Sequence, residues 1–79
     1  MARFYFHLRN SSRWVHDQEG TDLFDRATVM KVAVSSARDV MAGEIKQGRL
    51  SLPSSIEVDD ELGCPVLTLR FKDAIELEL

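Results

Sequence analysis

At 79 residues, with a net charge of −3 and one cysteine, the chain has room for a single domain spanning residues 1–79 and for no internal disulfide. The negative balance argues against a general binder of nucleic acid or anionic membrane, and no apolar run is long enough to span a bilayer. The first residues show neither the apolar stretch nor the small-residue cleavage site of a secretory signal, so the expected location is the cytoplasm.

Charge is unevenly distributed. Residues 1–16 carry Arg3, Arg9 and Arg13 and no acid, whereas residues 57–79 carry seven acids against Arg70 and Lys72. A basic first hairpin and an acidic last one would stabilise each other as sheet neighbours. A small chain of this kind buries only about 60–65% of its unfolded surface, which leaves a thin stability margin.

The elements follow in chain order. From Arg3 to Arg9 the residues alternate, with Phe4, Phe6 and Leu8 on one side and Tyr5, His7 and Arg9 on the other, which predicts a strand with one buried face. Asn10, Ser11 and Ser12 are turn formers, and a second short strand from Arg13 to Asp17 should fold back. A two-residue Ser11-Ser12 turn sets Leu8 opposite Val15 and His7 opposite His16, keeping Val15 on the apolar side. Residues 18–21 then leave the sheet.

Asp25 is a good N-cap, and Phe24 before it could staple onto Val29. The helix should run from Arg26 to about Gln47 and stop at Gly48. Ala27, Met30, Ala33, Val34, Ala37, Met41 and Ile45 form its apolar stripe, and Val29, Val32 and Val40 form a second ridge outside it. A loop over 51–55 precedes a third strand from Ile56 to Asp59, with Ile56 and Val58 inward. After an acidic turn, a fourth strand should cover Val66 to Phe71, with the segment 73–79 either a short helix or a frayed end. The fold class is α+β, in the order ββαββ: a four-stranded, mainly antiparallel sheet with one long helix on one face. The two hairpins are expected to meet through the first strand. Phe4, Phe6, Leu8, Val34, Ala37, Met41, Leu67 and Leu69 should form the core.

The opening string Ala2-Arg3-Phe4-Tyr5-Phe6-His7-Leu8-Arg9 resembles the first strand of a family of small uncharacterised alphaproteobacterial proteins, typical of rhizobia and their relatives. The likeness continues through Asp17-Gln18-Glu19-Gly20, the helix entry Leu23-Phe24-Asp25, and Phe71-Lys72-Asp73-Ala74. The chain departs from the pattern in the valines of its helix and in the lack of glycine in its first hairpin turn. The resemblance implies the fold and the kind of source. As the family is a domain of unknown function, it implies no catalytic residue, cofactor or partner.

Few residues suggest chemistry. His7 and His16 could converge across the first hairpin with Asp17 or Cys64 as a third zinc ligand, against the simpler reading of two exposed strand histidines. The simpler reading is preferred, and no metal or other cofactor is expected. Cys64 between Gly63 and Pro65 has acidic neighbours and lacks the cationic setting of a reactive thiolate. No nucleophile elbow, phosphate-binding glycine loop or His-Glu-x-x-His helix is present, so neither an enzyme nor a small-molecule substrate is inferred. The remaining candidate is the outer face of the sheet, where Tyr5, His7, Arg9, Trp14, His16 and Arg70 should gather beside Thr68. Tryptophan, tyrosine and arginine are frequent anchors of protein interfaces. The expected role is a protein–protein interaction module, homodimeric or bound to another protein, with the Val29, Val32 and Val40 ridge as a secondary surface. The alternative is a weak single-strand nucleic-acid binder that stacks bases on the same aromatic residues.

Overall fold

The computed structural model describes residues 2–10 and 13–79. Strand β1 spans Ala2–Arg9, β2 Trp14–Val15, β3 Thr21–Leu23, β4 Ser55–Asp59 and β5 Pro65–Arg70. Helix α1 covers Arg26–Lys46, and a turn of 3-10 helix covers Phe71–Asp73. The class is α+β with one long helix and an antiparallel sheet, as the periodicities indicate, but the sheet has five strands rather than four.

β1 is the central strand. Its Tyr5–Arg9 stretch pairs with β4, which pairs in turn with β5, so the two hairpins do meet through the first strand. Along the other edge of β1 lie two short strands, β2 against Leu8 and Arg9 and β3 against Ala2 to Phe4. The register sets Leu8 opposite Val15, as expected, which keeps Val15 rather than His16 on the side of Leu8. The Ser11-Ser12 turn itself lies outside the described residues.

β3 is the strand that local sequence does not announce, because Thr21-Asp22-Leu23 has no apolar alternation. Long-range contacts hold it instead. Arg3 reaches Asp22 through Nε (3.0 Å) and Nη2 (3.2 Å), and Nη1 of the same guanidinium donates to the Glu19 carbonyl. Gly20 turns the chain back onto β1 with φ +72°, and a Cβ there would stand 2.8 Å from Arg3 Cγ and 3.0 Å from Tyr5 Cε2. Gly20→Ala should therefore cost about 1–2 kcal/mol, since it combines a strained backbone with a clash. Thermal melts that coincide with the parent would show that this crossing is looser than described.

The helix begins and ends where its caps lie. Asp25 accepts from Thr28 N (3.0 Å) and Thr28 Oγ1 (2.7 Å), and past the C-terminal end Gly48 adopts φ +82° with its N–H on the Ile45 carbonyl. Its buried stripe is Val29, Ala33, Ala37 and Met41, with Val34 and Val40 partly buried beside it. This corrects the expected rotation: Ala27, Met30 and Ile45 are exposed, while Val29 is fully buried and Val40 packs on the core. Val29 and Val40 thus belong to the inner side of the helix, while Val32 is half-buried and outside the core cluster. Four i,i+4 positions of modest size lie flat over β3, β4 and β5, where the larger side chains Ile56, Val58, Leu69 and Phe71 meet them. Nor does Phe24 staple onto Val29. Pairing of Leu23 with Ala2 turns Leu23 inward, which leaves Phe24 85% exposed.

In the core Phe4, Ala37, Met41 and Leu69 are buried as expected, while Phe6, Leu8, Val34 and Leu67 are only partly buried around it. Phe71 and Ala74 complete it. The chain leaves β5 at Arg70 and coils into the 3-10 turn, with Phe71 N donating to the Ser54 carbonyl (2.9 Å). Arg38 Nε holds the Ala74 carbonyl at 2.8 Å, which fixes the chain against the helix as far as Ala74; residues 76–79 are exposed and carry no regular structure.

Candidate interaction face

Side chains alternate along β1, so Tyr5, His7 and Arg9 project away from the helix. Directly opposed residues share a face, which adds Trp14 beside Arg9 and the rows Tyr5–Asp59, His7–Glu57–Thr68 and Arg9–Ser55–Arg70. The expected candidates Tyr5, His7, Arg9, Trp14, His16 and Arg70 are therefore brought to one surface. The helix lies on the opposite side of the sheet.

His7 differs from expectation within that group: it is only 2% exposed. Its ring stacks on His16 at 4.5 Å between centroids and meets Trp14 at 4.9 Å, so the two neighbouring rings roof it over. Both ring nitrogens are engaged. Asp17 N–H donates to Nδ1 at 3.0 Å, and Nε2 lies 3.2 Å from Asp59 Oδ2. The tautomer that satisfies both contacts carries its hydrogen on Nε2 and gives it to the carboxylate. A metal would need the lone pair that Asp17 N–H already occupies. Among the described residues no group of three or more His, Cys, Asp or Glu side chains is placed to hold an ion, and Cys64 is exposed.

The anchor above His7 is Trp14, 40% exposed, with the Arg9 guanidinium 4.5 Å from its ring centroid. Arg9 Nε also donates to Glu57 Oε2 across the strand pair. Trp14 is thus held between a buried imidazole and an ion-paired arginine, which fixes its position. Val15, on the other side of β2, is 38% exposed because the helix does not extend over this corner.

Asp17 holds the corner together. Its Oδ2 accepts Phe6 N at 3.0 Å, and its Oδ1 accepts Glu19 N and Gly20 N, each at 3.2 Å. Burial pushes this carboxyl up, but the three backbone donors outweigh it and hold the group below the ordinary 3.8. The Arg3 guanidinium is shifted the other way, raised by its hydrogen bond and charge contact with Asp22.

The acidic turn that follows the Ile56–Asp59 strand gives no sign in the sequence of what Asp59 and Asp60 border. With Glu61 they close a hollow of about 190 Å³ whose other walls are Tyr5, His7 and His16. Only the register of β1 against β4, which opposes Tyr5 to Asp59, could have revealed it. A larger cleft of about 410 Å³ lies between Phe24 and Leu62 at the end of the sheet. Its charged side chains are largely engaged, Arg3 by Asp22 and Asp25 by the helix start, and no set of polar groups converges there.

No helix among the described residues is long and apolar enough to cross a membrane. No curated protein and no solved structure matches the chain. A family model described as a domain of unknown function, DUF6894, matches residues 3–72, from the first arginine of β1 to the 3-10 turn that closes the core. That match reaches into every element of the fold, and the chain belongs to the DUF6894 family.

Proposed function

We infer that this domain is a protein–protein interaction module that docks through the outer face of its sheet, with a second copy of itself as partner. The observation that carries this reading is Trp14, a large aromatic side chain left 40% exposed yet pinned by His7 beneath it and Arg9 beside it. Aromatic anchors of fixed geometry lose little entropy on binding, which is why they dominate interface energetics. No element of the described residues lies over this side of the sheet, and a small domain gains stability by covering such a surface with a twin. The helix offers no comparable site, because Val29 and Val40 face the core.

Base stacking on Tyr5 and Trp14 fits less well. Glu57, Asp59, Asp60 and Glu61 border the same aromatic residues, and Arg9 is already paired with Glu57. A phosphate backbone would meet carboxylates along most of that path.

Amide spectra recorded from about 20 µM to ~1 mM, a range that spans weak association, test the reading. Concentration-dependent shifts should cluster on Tyr5, Trp14, His16, Thr68 and Arg70. Shifts confined to Met30, Ile45 and their helical neighbours would refute it, as would spectra that do not change with concentration.

A further inference from the structure

The outer face carries opposite charge at its two ends. Arg9, Ser55 and Arg70 form one row across β1, β4 and β5. Four residues along β4, Asp59 opposes Tyr5, and Asp60 and Glu61 follow in the turn. At about 3.4 Å per residue the two ends stand roughly 14 Å apart. Much of this charge is uncompensated within the chain. Among the described residues Arg70 has no ion pair, and Asp60 and Glu61 accept only backbone N–H groups, from Leu62, Cys64 and Arg3.

Two sheets packed face to face by a two-fold axis have two simple arrangements, because that axis must lie between them. An axis running along the strands brings each end onto its own kind, arginine over arginine and carboxylate over carboxylate. An axis crossing the strands brings each end onto the other. We propose that a second copy of this chain covers the outer face about an axis crossing the strands near the His7–Glu57–Thr68 row. Arg70 of each copy then meets the partner's Glu61 and Asp60, and Trp14 lies over the end that holds the partner's Tyr5 and His16. The proposal rests on the reading of this face as a docking surface and adds the orientation. Glu57, close to the axis, arrives paired with Arg9, so two bare carboxylates do not confront each other there.

The footprint sets the strength. Four strands about 4.8 Å apart and five residues long cover on the order of 350 Å² per copy, well below the ~800 Å² of a standard interface. The dimer is therefore weak, and the crossed charges act mainly on its orientation and rate of formation.

Sedimentation equilibrium on Glu61→Lys, Arg70→Glu and their mixture tests the orientation. Each variant alone sets like charges together at both symmetry-related contacts and should weaken the dimer at least ~10-fold. An equimolar mixture should dimerise as the parent does, because each variant then offers the sign that the other has lost. A dimer indifferent to both reversals but lost in Trp14→Ala keeps the docking face and overturns the orientation. A parent chain that stays at 9.0 kDa overturns both. Thermal melts establish that each variant folds. If one does not, the parent decides: raising salt from about 0.05 to ~0.5 M should weaken its dimer several-fold, and a dimer unchanged or tightened by salt refutes the crossed pairing.

Discussion

Replacing Phe71 with alanine should remove about 3–5 kcal/mol, most of the stability that a domain of this size holds. The ring is fully buried where the 3-10 turn closes over the helix and β4, among Ile56, Val58, Leu69 and Ala74. The backbone at this point is fixed by Phe71 N on the Ser54 carbonyl and by Arg38 on the Ala74 carbonyl, so the structure has little freedom to collapse into the space left. Phe6→Ala, at a ring only partly buried beside the core, should cost less. Urea unfolding of both variants checks the order. A Phe71→Ala protein that melts within a few degrees of the parent would show that the turn is a peripheral cover rather than part of the core.

Loss of the Asp17 carboxylate should cost about as much as Gly20→Ala and should show a distinct dependence on pH. Three backbone N–H groups converge on it and join β1 to the turn that launches β3. Asp17→Ala leaves those donors without their acceptor and frees the segment whose own N–H holds His7. Because much of the carboxylate still touches water, the expected cost is at the lower end for charge-assisted bonds, about 1–2 kcal/mol. The sign with pH follows from the direction of its shift. A carboxyl whose folded value lies below the ordinary 3.8 contributes its full stabilisation above that value and loses it as pH falls through the folded one. The parent should therefore lose stability below about pH 4, and Asp17→Asn should lose correspondingly less over the same interval. Identical acid slopes for the two proteins would show that Asp17 does not carry this part of the titration.

The differences between sequence and structure have physical reasons. Alternation in β1, the Asp25 cap, Gly48 past the end of the helix, and the inward Ile56 and Val58 are local signals, and local signals place those elements correctly. β3 has none, since it is held by Arg3 and Asp17 from elsewhere in the chain. Helix rotation is also a long-range property. Met30 and Val29 are equally apolar, and the position of the sheet decides that Val29 is the one buried. Phe71 continues the alternation of β5, yet it serves the core better by leaving the strand and turning under the helix. At the candidate face the gathering of Tyr5, Trp14 and Arg70 follows from period two and one turn length. Burial of His7 does not, because two rings and two hydrogen bonds from other segments produce it.

Sedimentation equilibrium of the unmodified chain, from about 10 to ~500 µM at low salt, tests the docking face most directly. The average mass should rise with concentration from 9.0 kDa toward twice that value, with a flatter rise for Trp14→Ala. A mass fixed at 9.0 kDa across the range would contradict it.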